Sequence, residues 1–139
     1  MSNVKQAVPF FAVSNMEASV RYYVDGLGFR MTKKWVVEGK LRWCWLELGD
    51  ASLMLQEFPE EGNDGRTPQG KAGAGVTICF VCEDALALYA TFRVNGIEAS
   101  NPFVGNGMWV TSLSDPDGFR IDFESYTDVP EGTELGAAL

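Results

Sequence analysis

Apolar and polar positions along this chain change period several times, and they do so twice in the same order. Val8 to Val13 is an apolar run of strand character. Behind it Val20, Tyr23, Val24 and Leu27 recur at the spacing of one helical face. Ser14-Asn15-Met16-Glu17 in front of that face reads as a capping box, with Ser14 or Asn15 at the cap and Glu17 reaching back. Gly28 ends the helix, as a left-handed C-terminal residue requires. Strand-like segments follow: Met31–Val37, a turn at Glu38-Gly39-Lys40, Leu41–Leu48, a tight turn at Gly49-Asp50-Ala51, and Ser52–Phe58.

The second half repeats this order. Slid by 68 positions without a gap, Val8 falls on Val76, Phe10 on Ile78, Val13 on Val81, Gly28 on Gly96, Phe29 on Ile97, Leu53 on Ile121 and Leu55 on Phe123. Val76–Cys82 reads as a strand, Glu83-Asp84 as a helix start, and Leu88 and Phe92 as the helix stripe. Met108–Ser114 and Phe119–Glu124 are joined by Asp115-Pro116-Asp117-Gly118, a strong turn signal. The pattern predicts an α+β domain of two tandem βαβββ modules. They make a curved, mostly antiparallel sheet with the helices on its outer face. The first module takes residues 1–58, the second 76–126; 59–75 is the linker, and the weakly patterned tail 127–139 is read as mobile. Within the linker, Gly70 to Gly75 lacks the Gly-Lys-Ser/Thr order of a phosphate loop.

Strand alternation sorts the side chains. If Leu53 and Leu55, and Ile121 and Phe123, face their helices, then Met54, Gln56, Asp122 and Glu124 face away. Folding the first hairpin about Asp50-Ala51 puts Glu47 opposite Met54, Trp45 opposite Gln56 and Trp43 opposite Phe58. The same parity turns Trp109, Thr111 and Leu113 away from the second helix. The expected site is therefore Trp43, Trp45, Glu47, Met54, Phe103, Trp109, Asp122 and Glu124. Flat rings beside carboxylates suit a planar or cationic ligand, through contacts of about 0.5–2 kcal/mol each. The same tryptophans equally suit an interface between sheets or subunits.

Composition narrows the chemistry. The chain of 139 residues has no histidine, which removes Ser-His-Asp and Cys-His catalysis and histidine-ligated zinc. A net charge of −8 repels nucleic acid and attracts cations. There is no 18-residue apolar stretch for a membrane span, and the first residues lack the apolar core of a signal peptide. Three cysteines in apolar contexts, Cys44, Cys79 and Cys82, fit a reducing cytoplasm. Cys79 and Cys82 form a C-x-x-C, but on a strand they point to opposite faces and are read as buried thiols.

Val8-Pro9-Phe10-Phe11-Ala12-Val13, Ser14 to Tyr23, Leu27-Gly28-Phe29 and Asp115-Pro116-Asp117-Gly118 before Phe119-Arg120-Ile121-Asp122-Phe123 carry a resemblance. Over residues 7–126 the chain resembles the glyoxalase / bleomycin-resistance / extradiol dioxygenase superfamily, the vicinal oxygen chelate proteins. Metal-using members of that family place His or Glu ligands on the first and last strands of each module. By the resemblance, those positions here are Val8, Met54, Val76 and Asp122. Of these only Asp122 is a ligand for a hard or borderline cation, so no metal and no cofactor are expected. The resemblance therefore implies a non-catalytic bleomycin-resistance type of protein. It would trap a cationic or aromatic small molecule in an acidic, aromatic groove of a homodimer. The alternatives are a lyase, isomerase or dioxygenase with an atypical, metal-poor site, using Glu47, Asp122 or Glu124 as general base, and a ligand-free stress or regulatory protein that keeps only the scaffold.

Overall fold

A computed structural model describes residues 2–57 and 73–136. Among the described residues eight strands and two α-helices, the first running on into a π-helical turn, alternate as two βαβββ sets. The chain separates into two units, Met1–Gln69 and Gly70–Leu139, and each is described by itself.

In the first unit β1 (Phe10–Val13), β2 (Arg30–Val37), β3 (Lys40–Leu48) and β4 (Ala51–Glu57) form one sheet in the order β1-β4-β3-β2. The β1–β4 pair is parallel and the others are antiparallel. The turn between β2 and β3 puts Glu38 at φ 51 and Gly39 at φ 76, the doubly left-handed form that suits the right-handed twist of a hairpin. Helix α1 (Met16–Val20) is capped by Asn15, whose Oδ1 accepts from the Ala18 amide at 3.0 Å. Glu17 lies 3.8 Å from Arg21, one turn on. Met16 and Ser19 of this helix and Tyr23 just beyond it are buried, as are Phe11, Val13, Leu53 and Leu55 of the sheet, and the Tyr23 ring lies 6.4 Å from that of Phe11. Tyr23 meets Phe29 edge-on at 5.6 Å. A fully buried ring or aliphatic chain of this kind contributes about 1.5–3 kcal/mol.

In the second unit β5 (Thr77–Val81), β6 (Phe103–Gly105), β7 (Met108–Ser114) and β8 (Arg120–Tyr126) repeat the plan in the order β5-β8-β7-β6. The three-residue β6 carries no alternation long enough to read from sequence. Asp84 caps α2 (Ala85–Val94) by accepting from the Ala87 amide at 2.9 Å. Phe92 and Phe80 flank Phe123 at 5.1 and 5.3 Å between ring centres. The Asp-Pro-Asp-Gly turn is held by the buried Asp115, whose carboxylate accepts from the amides of Asp117 and Phe119 at 2.9 and 2.8 Å.

Three expectations are corrected. The repeat is not gapless. Phe80 stands 69 positions after Phe11, and Asp84 and Phe92 stand the same distance after Asn15 and Tyr23, whereas Gly96 stands 68 after Gly28. The extra residue of the first module is absorbed where α1 runs on as a π-helical turn, Arg21–Gly26. There the Leu27 amide bonds the Tyr22 carbonyl, five residues back, while Asn95 bonds Thr91, four back. The tail is also not loose over its described part. The Val104 amide donates to Thr133, and those of Gly132 and Leu135 donate to Val104 and Pro102, so residues 132–135 run along the outer edge of β6. Glu131 closes the Asn106-Gly107 turn by accepting both amides. The first strands begin at Phe10 and Thr77, leaving Val8 and Val76 outside them. Gly70 to Ala72, Phe58 and residues 137–139 lie outside the described residues.

Candidate functional site

Residues paired across a sheet share a face. In the first unit the register is Trp43 to Gln56, Trp45 to Met54 and Glu47 to Ser52. This is two residues from the expected pairing, because the hairpin closes at Leu48 and Ala51 around Gly49-Asp50, with Gly49 at φ 58. A shift of two leaves every side chain on its face. Trp43, Trp45, Glu47 and Met54 therefore share the face opposite the buried Cys44, Leu46, Leu53 and Leu55. Phe10 joins them from β1 beside Met54, and Trp35 from β2 opposite Trp43. Phe10 and Trp35 are 44% and 54% exposed, so the face is a substantial apolar surface.

Two polar side chains that alternation did not reveal complete this face. The β2–β3 register slips between Met31 and Lys33, which leaves Thr32 as an extra residue. The slip turns Lys33 onto the face of Trp45, and its ammonium nitrogen lies 4.7 Å from the centre of that ring. Trp45 Nε1 donates to Glu47 Oε2 at 3.0 Å, and Thr32 Oγ1 donates to the same oxygen at 3.0 Å. The indole is thus tied at its edge and covered by a cation. No signal in the sequence marks the bulge.

In the second unit Ser112 pairs with Asp122, Val110 with Glu124, and Cys79 with Asp122. Asp122 and Glu124 share the face turned from α2, as expected, and Phe103 joins it through Val110. Trp109, Thr111 and Leu113 do not. They pair with Ser125, Phe123 and Ile121. Ser125 Oγ accepts from the Ala85 amide at 2.9 Å, and Thr111 Oγ1 donates to the Ala85 carbonyl at 2.9 Å. Both bonds put these residues on the helix side. The expected union of Trp109 with Asp122 and Glu124 is therefore overturned. The cause is the register: Leu113 meets Ile121, and Ile121 already faces the helix.

Asp122 is 8% exposed, with Arg120 Nε 3.4 Å from its Oδ1, and Arg120 Nη2 donates to Ser112 Oγ at 3.2 Å. The Cys79 thiol, the Asp122 carboxylate and the Glu124 carboxylate lie with ligand atoms within 4.8 Å of one another. Burial pushes the Cys79 thiol above its ordinary value, and the Glu124 and Asp122 carboxylates push it further.

The strand partners of Met54 and Asp122 on the first strands are Phe10 and Cys79, not Val8 and Val76. The one-residue surplus in α1 moves the counterpart of Val8 from Val76 to Thr77. Val8, Met54 and Thr77 offer no carboxylate or imidazole, and Asp122 is already paired with Arg120. These residues do not fit the four-position chelate. Two open clefts, about 730 Å³ beside Arg93, Ser112 and Arg120 and about 710 Å³ beside Asn15, Lys40 and Glu57, contain none of the expected site residues.

The description "Glyoxalase/Bleomycin resistance protein/Dioxygenase superfamily" matches residues 5–123, and the chain belongs to that family. No curated protein matches it. Among solved structures it is similar to TnmS3, an antibiotic binding protein from Streptomyces sp. CB03234, at 19% identity and a TM-score of 0.67, over 91% of this chain and 100% of that one. It is similar to a bleomycin-binding protein complexed with bleomycin at 19% identity and a TM-score of 0.66, over 89% of this chain and 100% of that one. A glyoxalase family protein from Bacillus anthracis matches at 18% identity and a TM-score of 0.67, over 91% and 100% of the two chains. At such identities these likenesses show the fold. Among the described residues no helix is long and apolar enough to cross a membrane.

Proposed function

We propose that this chain binds and sequesters a small, flat or cationic molecule without chemical conversion. The observation that carries the reading is the face of Trp43, Trp45 and Met54 beside Glu47. Stacking on two indoles and one thioether, with a carboxylate at the edge, is a binding surface rather than a reaction centre. The likeness to proteins named for binding antibiotics supports it. Taken by itself, the second unit offers Phe103, Asp122 and Glu124 on one face as apolar and acidic contacts for a ligand of the same kind. The exposed Phe10, Trp35 and Phe103 favour a homodimer, and the free cysteines favour a reducing cytoplasm. Titration with bleomycin tests the reading. Quenching of tryptophan emission at micromolar ligand, weakened by salt, is the expected result; no quenching removes bleomycin as the ligand.

A second reading, an enzyme of lyase or isomerase type, draws on the grouping of Cys79, Asp122 and Glu124. A divalent ion held stoichiometrically through dialysis would favour it.

A further inference from the structure

We infer that Lys33 is a built-in cation that occupies the indole of Trp45, so that cation capture on this face is an exchange and Lys33 sets the charge preference of the site. The inference rests on the reading of the Trp43–Trp45–Met54 face as the binding surface. The Lys33 ammonium is 4.7 Å from the centre of the Trp45 ring, inside the range of about 6 Å over which a ring quadrupole attracts a cation. It is placed there by the backbone: the extra residue Thr32 shifts Lys33 into register with Trp45.

The ring beneath it is fixed. Its Nε1 donates to Glu47 Oε2, and Thr32 holds that same oxygen from the other strand. Ring and carboxylate are therefore preset, while the ammonium above them sits on a flexible four-carbon stem. Lys33 is exposed, so its head can swing into water at little cost. An incoming cation must displace it from the ring. A flat anion meets the ammonium as a partner. The bare charge of −8 predicts a preference for cations everywhere on the surface, and at this indole Lys33 works against it.

The test uses the intact protein and its Lys33→Met variant, with two flat probes of matched shape: N-methylquinolinium and a quinoline carboxylate. Tryptophan quenching gives the affinities, and proton NMR follows the Lys33 ε-methylene, which a ring beneath it shifts upfield. The variant is expected to bind the cationic probe roughly two- to fivefold tighter and the anionic probe weaker by a similar factor. The ε-methylene signal of the intact protein should move back downfield as the cationic probe binds. Binding of both probes with equal affinity by the two proteins overturns the exchange alone. No quenching of either protein by either probe overturns the binding-surface reading and the exchange with it. An ε-methylene at its ordinary position, unchanged by Trp45→Leu, also overturns the inference.

Discussion

Thr111 donates its hydroxyl hydrogen to the carbonyl of Ala85 at 2.9 Å, joining the centre of β7 to the first turn of α2. Both residues are fully buried. The bond shows which face of β7 meets the helix, and Trp109 follows Thr111 onto that face. Thr111→Val keeps the shape and removes the donor. It is expected to lower stability by about 1–2 kcal/mol in urea unfolding, with Thr111→Ser retaining most of it. An unchanged midpoint for the valine variant would show that the bond contributes nothing net.

Ser19 presents the opposite case. It is fully buried in α1, and among the described residues its hydroxyl has no hydrogen-bond partner. Burying such a group costs about 1–3 kcal/mol. Ser19→Ala removes the hydroxyl and has the higher helix propensity. A rise in melting temperature is expected, and a fall would mean that the hydroxyl is bonded in solution.

Glu57 carries a pH dependence. Burial pushes its carboxyl upward, but the Met16 amide at 2.9 Å, the Lys40 ammonium at 2.9 Å and the charge of Arg42 outweigh it and hold the group below 4.5. A depressed carboxyl binds its proton more weakly in the folded chain than in the unfolded one. Its contribution is therefore complete above the ordinary carboxylate range and is lost as pH falls through the lowered value. Glu57→Gln should cost about 1 kcal/mol at pH 7, allowing for an exposed Lys40, and the gap to the parent should close as pH falls through the lowered value. A gap that stays constant with pH would assign the cost to shape rather than charge.

The cysteines should separate by reactivity. Burial pushes the Cys44 thiol to about 11, and Cys44 is fully buried on the helix side of β3. Cys79 is exposed and Cys82 half-buried, not the buried thiols expected from their apolar run; partial desolvation, then Glu124 and Asp122, raise the Cys79 thiol. At pH 8 iodoacetamide should modify Cys79 slowly and Cys44 only on unfolding. Glu124→Gln removes one negative neighbour and should speed modification of Cys79. An unchanged rate would show that Glu124 does not face the thiol.

Much of the architecture was legible in order and composition. The alternation of strand and helix periods, the capping residues Asn15 and Asp84, and the left-handed Gly28 and Gly96 all depend on near neighbours. Such local preferences are written where they act. The tail escaped because its amides bond β6, whose three residues are too few to show a period. The π-helical surplus escaped because a gapless slide still matched apolar with apolar while displacing the first strand and helix by one.

The sequence by itself determined that there are two βαβββ modules, that Leu53, Leu55, Ile121 and Phe123 form their cores, and that histidine chemistry is absent. Only the tertiary structure decided that Lys33 joins the face that alternation assigns to Trp43, Trp45, Glu47 and Met54, and that Trp109 turns away from Asp122 and Glu124. The physical reason is register. A side chain's type is a property of one position. The face it occupies depends on which residue lies across the strand, and a single extra residue such as Thr32 reverses it with no local trace.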